Sequence, residues 1–169
     1  VYDRNNKPAL NSLDYHKYVC IYNSRNQRIE IEYYGKDGEL TSYNNDKYAI
    51  QKDEYDERGY IVRTSYYGKD KQLVVSNEGW ASSTREYDVL GNVLKQSFFG
   101  IDGKPTDPKV MVPEGLCRYD RWGNRIYLAA GDGKGHLIIN PTTGWSIQKS
   151  EYNSRGKLLS EAYLDENEK

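Results

Sequence analysis

The chain of 169 residues carries 24 basic against 25 acidic side chains, a net charge of −1, and two cysteines. That balance, with no basic run, excludes the electrostatic footprint of a nucleic-acid binder, and no stretch approaches the ~20 apolar residues of a membrane-spanning helix. Leu, Ile, Val and Phe total only 33 residues, but 17 Tyr and 3 Trp supply apolar area, and a near-neutral chain with that many rings is expected to fold.

In chain order, residues 1–14 read as the end of a partial unit, with Pro8 where Leu40, Leu73 and Pro105 stand later. The match of Val1–Pro8 to the latter part of a unit suggests a piece of a longer array. Five fuller units follow, at 15–47, 48–79, 80–111, 112–144 and 145–169. A repeat of this period marks a tandem architecture. Each unit is anchored on Tyr22-Asn23, Tyr55-Asp56, Tyr87-Asp88, Tyr119-Asp120 or Tyr152-Asn153, with spacings of 33, 32, 32 and 33. Gly59, Gly91, Gly123 and Gly156 close the turn that follows, and Asn26 does so in the first unit. An Asp or Asn that bonds the backbone two residues on, then a residue that accepts left-handed backbone, specifies a tight hairpin turn. A second turn recurs at Gly35–Gly38 and Gly100–Gly103, whereas Lys71 replaces the last Gly in the second unit and predicts a looser turn there.

Alternation then assigns faces. Ile29, Val62, Leu94, Ile126 and Leu159 share one face with Tyr33, Tyr66, Phe98 and Tyr163 four residues later, and this face is expected to be buried. Glu30, Arg63, Lys95 and Ser160 mark the wet face, and Tyr34, Tyr67 and Phe99 point outward at the strand end. Tyr15, Tyr48, Trp80 and Trp145 form an incoming aromatic column expected in the core.

In the fourth unit either Gly115 matches Gly79 and Gly144 after a shortened strand, or Val112 takes the Trp80 place. Its strand end, Ala129-Ala130-Gly131, loses both aromatics and offers a groove or a weak joint. Pro105-Thr106-Asp107-Pro108 does not suit a central strand, and the tail Asp165–Lys169 is expected to fray.

Residues able to do chemistry are sparse. Asp37-Gly38, Asp102-Gly103 and Asp132-Gly133 each offer one carboxylate, where a calcium loop converges several oxygens. His16 and His136 stand at non-equivalent positions without ligand spacing, and no nucleophile elbow, phosphate loop or dinucleotide fingerprint occurs. No metal, cofactor or catalysis is expected. Cys20 and Cys117 hold the same register three units apart, beyond the ~7 Å reach of a bridge in a linear stack, and read as free thiols. Trp122 replaces Arg25, Arg58, Leu90 and Arg155 at the turn tip. With Arg25, Arg58, Tyr34, Tyr67 and Phe99 it forms the candidate ligand-binding set, for a glycan or a protein.

Tyr87-Asp88-x-x-Gly91-Asn92, Tyr119-Asp120-x-x-Gly123-Asn124 and Gly100-x-Asp102-Gly103-Lys104-Pro105 resemble bacterial tyrosine-aspartate (YD) repeat proteins, related to Rhs-type repeats. Gly79-Trp80 and Tyr33-Tyr34-Gly35-x-x-Gly38 are more loosely similar to choline- and glucan-binding cell-wall repeats. The resemblance implies an extracellular or cell-surface protein of β-sheet repeats with carbohydrate or protein contacts; its alternative roles are a structural spacer or part of a larger shell. The expected fold is all-β, with tandem β-hairpin repeats stacked into an elongated, solenoid-like array of about five units, a single array over residues 1–169.

Overall fold

The computed structural model describes residue 2, residues 4–107, residue 109 and residues 111–169. The expectations placed on Val1, Asp3 and Pro108 fall outside the described residues. Ten strands form five hairpins: β1 (Lys17–Tyr22) with β2 (Arg28–Tyr34), β3 (Ile50–Tyr55) with β4 (Ile61–Tyr67), β5 (Ser82–Tyr87) with β6 (Val93–Phe99), β7 (Glu114–Tyr119) with β8 (Arg125–Gly131), and β9 (Ile147–Tyr152) with β10 (Leu158–Leu164). No helix occurs among the described residues, and the all-β expectation holds. The chain divides into two compact units, Val1–Ser83 with Gly100–Asp102 and Thr84–Phe99 with Gly103–Lys169. In the first, β1 to β4 pair antiparallel in chain order. In the second, β6 to β10 do the same.

Each Tyr anchor is the last residue of the first strand of its hairpin, and the Asp or Asn after it builds the turn. Oδ1 of Asp88 accepts from the N–H of Leu90 and of Asn92, both at 2.9 Å. Asn23, Asp56, Asp120 and Asn153 make the same pair of bonds two and four residues on. Gly59 closes its turn at φ 94°, and a Cβ there would stand 3.1 Å from Gln27 Nε2 of the preceding turn. Glycine is needed both for the backbone and for the approach. The expected looseness at Lys71 is absent. Lys71 N–H donates to Gly68 O at 3.0 Å as Gly38 N–H does to Gly35 O, and Lys71 itself adopts the left-handed φ of 61°.

The register corrects the expected buried aliphatic column. Ile21 pairs with Glu30 and Tyr22 with Arg28, so Ile29 is an unopposed bulge residue. Val62, Ile126 and Leu159 are skipped in the same way. A bulge residue leaves the ladder and breaks the two-residue alternation, so counting by two assigned the wrong environment. Ile29 and Val62 are only half-buried, while Leu94, Ile126 and Leu159 are exposed, Leu159 by 64%. The opposite face is not uniformly wet either, because Ser65, Ser97 and Ala129 near the strand ends are buried. Ile31, Ile50 and Ile147 are buried instead.

The rings behave as expected in the first unit. Tyr33, Tyr48 and Trp80 are buried, and the centroids of Tyr15–Tyr33, Tyr33–Tyr43, Tyr48–Tyr66 and Tyr66–Trp80 lie 5.2, 4.5, 4.3 and 4.6 Å apart. Burial pushes the Tyr33 phenol up to about 12 and that of Tyr48 higher still, so both rings stay neutral. Tyr163 departs from the column: it is 53% exposed, though its ring lies 5.5 Å from that of half-buried Trp145.

Backbone bonding settles the fourth unit. Tyr33, Tyr66, Phe98 and Ala130 donate their N–H to the carbonyls of Ala49, Ala81, Pro113 and Ser146. Pro113 is therefore the counterpart of Ala81, and Val112 takes the Trp80 place. β7 has the six residues of β3 and β9 and is not shortened, and Gly115 is no match for Gly79. The expected groove at Ala130-Gly131 is absent, since Ala129, Ala130 and Gly131 are all buried. Glu114 fills the space over Gly131, where a Cβ would meet Glu114 Oε1 at 3.1 Å.

Trp80→Ala should lower the unfolding free energy by about 3–5 kcal/mol in urea titrations, as deletion of a buried ring does. Lys71→Gly should raise it by up to about 1 kcal/mol, because it relieves a left-handed backbone at little other cost.

Candidate functional site

The six candidate residues occupy opposite ends of the strands. Arg25 and Arg58 sit at the turn end of the first unit and Tyr34 and Tyr67 at the far ends of β2 and β4. Seven residues of strand at roughly 3.3 Å each keep the two ends about 20 Å apart. In the second unit Trp122 lies in the turn between β7 and β8, and Phe99 ends β6.

Most of these side chains are engaged within the protein. One Arg25 guanidinium nitrogen donates to Glu57 O at 3.0 Å, beside a pocket of about 290 Å³ that includes Asp56 and Tyr55. Arg58 pairs with Asp56 at 3.1 Å and lies 4.9 Å above the Tyr60 ring. Tyr34 donates to Glu32 and carries Lys17 Nζ 4.8 Å above its ring. Tyr67 carries Lys52 at 5.3 Å and lines a pocket of about 470 Å³ with Lys71, Leu73 and Ile101. Phe99 is half-buried and bridges to Pro105, as Tyr34 does to Leu40 and Tyr67 to Leu73. The outward doublet is thus half-covered rather than open.

Trp122 is the exception. It is 57% exposed and borders a groove of about 610 Å³. The Trp122 backbone N–H donates to Asp120 Oδ1 at 2.9 Å, and Asn124 Nδ2 donates to Asp120 Oδ2 at 2.9 Å, so both carboxylate oxygens hold the turn. Arg121 stacks 4.0 Å from the centre of the indole. Ile126, Tyr127, Tyr152 and Leu159 form the apolar wall, and Arg118, Lys149, Asp120 and Glu151 complete the lining; Lys149 pairs with Glu168 at 3.1 Å and Arg118 lies 4.7 Å from the Tyr127 ring centre. Sequence reasoning found Trp122 but missed that wall, because Ile126 and Leu159 read as core until the bulge turned them out.

Two buried carboxylates lie outside this groove. Asp53 accepts from Thr64 Oγ1 at 2.9 Å and Gln51 Nε2 at 2.9 Å, with Arg28 at 3.5 Å. Glu114 accepts from Lys95 Nζ at 2.7 Å and Ser97 Oγ at 3.2 Å, and that bond raises the Lys95 pKa. Both lock neighbouring strands together. His136, expected to lack a carboxylate at useful spacing, places Nδ1 2.9 Å from Asp132 Oδ2; the pair staples its own turn. Among the described residues no group of three or more His, Cys, Asp or Glu converges for a metal. Cys20 and Cys117 are free and half-buried.

No protein-family model and no curated protein matches the chain. The groove is therefore read from its own chemistry.

The turn carboxylates all shift in one direction. Hydrogen bonds from Tyr60, Asn92, Asn124 and His136 respectively hold Asp56, Asp88, Asp120 and Asp132 below the ordinary value of 3.8, Asp132 at about 2. A folded-state value depressed in this way contributes stability above the ordinary pKa and loses it as pH falls through the folded one. Urea midpoints followed by circular dichroism should fall steeply below about pH 4. Asp88→Asn with Asp120→Asn should flatten that fall, since Asn23 and Asn153 already hold the same turn uncharged. Trp122→Ala should leave the unfolding free energy at neutral pH unchanged to within about 0.5 kcal/mol.

Proposed function

We propose that this chain is a tandem β-hairpin repeat module of the tyrosine-aspartate (YD/Rhs-like) kind. It serves without catalysis in a bacterial surface or secreted protein and binds a glycan at the Trp122 groove. The observation that carries this reading is an exposed indole on a rigid turn beside a groove of matched opposite charges. Binding sites commonly combine an aromatic or apolar wall with a few placed polar groups. A sugar ring offers an apolar C–H face to the exposed indole and hydroxyls that both donate and accept. Arg118 and Lys149 would donate to those hydroxyls, and Asp120 and Glu151 would accept. The balanced lining favours a neutral ligand over an anionic or cationic one.

A second reading, a structural spacer or protein-contact array, is supported by the first unit. There the rings pack on one another from Tyr15 to Trp80, and Tyr34 and Tyr67 are already capped by lysines. A glycan array and a cell-wall pull-down, with wild type and Trp122→Ala, separate the two. Binding by wild type and its loss in a folded Trp122→Ala supports the glycan reading. No glycan bound by wild type overturns it and leaves the spacer.

A further inference from the structure

The hairpin tips of the second unit carry side chains that the repeat does not use elsewhere. The two middle positions of the anchor turn hold Ser24-Arg25, Glu57-Arg58 and Ser154-Arg155 in three hairpins, but Val89-Leu90 and Arg121-Trp122 between β5 and β6 and between β7 and β8. In the first unit both tip arginines turn back on the protein, Arg25 to Glu57 O and Arg58 to Asp56. In the second unit Val89 is 90% and Leu90 67% exposed, and the exposed Trp122 stands on the next turn. The tip positions of all five turns are exposed, so turn geometry sets this exposure. Neighbouring turns touch: a Cβ on Gly123 would stand 3.9 Å from Asn92 Oδ1, and two strand spacings place the tips about 10 Å apart. Val89, Leu90 and Trp122 therefore project side by side from one end of the sheet.

These tips can leave bulk water with much of their backbone already bonded. The N–H groups of Leu90, Gly91 and Asn92 donate to Asp88, and those of Trp122, Gly123 and Asn124 to Asp120. Both carboxylates thereby serve their own turns, while Arg121, Arg125, Arg155 and Lys157 bring cations to the same end of the sheet. Three projecting side chains are too few for a stable protein interface, which covers about 800 Å² of each partner. They suit a bilayer surface, where aliphatic side chains enter the acyl boundary, Trp prefers the headgroup level and cations meet lipid phosphates.

We propose that the β5–β6 and β7–β8 tips dock this chain on an anionic lipid surface. Val89, Leu90 and Trp122 enter the headgroup boundary, and Arg121 and Arg155 meet phosphates. The chain lies on one leaflet and does not span it. Trp122 is shared with the glycan groove, but Val89 and Leu90 do not line that groove, so the two readings stand apart.

Flotation of the 169-residue chain with vesicles of phosphatidylcholine and roughly one-third phosphatidylserine should recover it, and pure phosphatidylcholine should bind about tenfold less. Val89→Ser/Leu90→Ser should lower the partition coefficient about tenfold or more. Ser24 and Ser154 already hold the Val89 position in other turns, and circular dichroism verifies that the variant is folded. Brominated acyl chains should quench the tryptophan emission of wild type far more than that of Trp122→Phe, because Trp80 is buried and Trp145 half-buried. No flotation with the anionic vesicles, or equal flotation of Val89→Ser/Leu90→Ser, overturns the proposal. A sedimentation mass above 19.6 kDa without lipid that returns to this value in Val89→Ser/Leu90→Ser also overturns it, in favour of a protein contact. Glycan binding by Val89→Ser/Leu90→Ser should match wild type, so failure of either reading leaves the other standing.

Discussion

One side-chain oxygen governs each hairpin. Oδ1 of the Asp or Asn after the anchor tyrosine accepts two backbone N–H groups, at 2.9 and 3.0 Å in the Asn153 turn, for example. Those bonds close a turn whose next-to-last residue must be left-handed. The turn forces one residue of the returning strand out of the ladder, at Ile29, Val62, Ile126 and Leu159. Which side chains then face the core is a consequence of that bulge. The device tolerates Asn for Asp, as at Asn23 and Asn153, because a carbonyl oxygen accepts as a carboxylate does.

Rings pack with a few aliphatic side chains, Ile31 foremost, in the core of the first unit. Tyr33, Tyr43 and Tyr48 pack edge-to-face or tilted, arrangements that aromatic quadrupoles favour. A planar ring spans the distance between neighbouring hairpins in a thin sheet better than a branched chain does, and its hydroxyl can stay near water. Where the rings are lost, at Ala130 and Gly131, the space is not left open. Glu114 lies over Gly131 and is neutralised by Lys95, so a polar plug replaces an aromatic one. Breaking either member would leave a buried charge or donor without its partner, which is costly.

The same economy bears on binding. An aromatic used for packing or capped by a lysine has little surface left for a ligand. In the first unit Tyr34 and Tyr67 are spent in that way. Trp122 is not, because a turn tip has no sheet face beneath it to bury an indole, and the Asp120 carboxylate fixes the turn that presents it. An exposed indole arises here where the repeat departs from its own rule, with Trp in a column otherwise filled by Arg and Leu.

The sequence by itself determined the period, the hairpin turns, the all-β class and the oddity of Trp122, because each rests on local chemistry. An Asx oxygen, a left-handed residue and β-forming flanks act within a few residues of one another. It also determined that Tyr48 and Trp80 are core, since both recur in register with the strands they precede. Only the tertiary structure decided the environment of Ile126 and Leu159, because each is a bulge residue outside the ladder, where counting in twos does not apply. The assignment of Val112 to the Trp80 place in the repeat likewise needed the Phe98–Pro113 backbone bond. The filled space at Gly131 depended on Glu114, 17 residues earlier, and no local pattern encodes that distance.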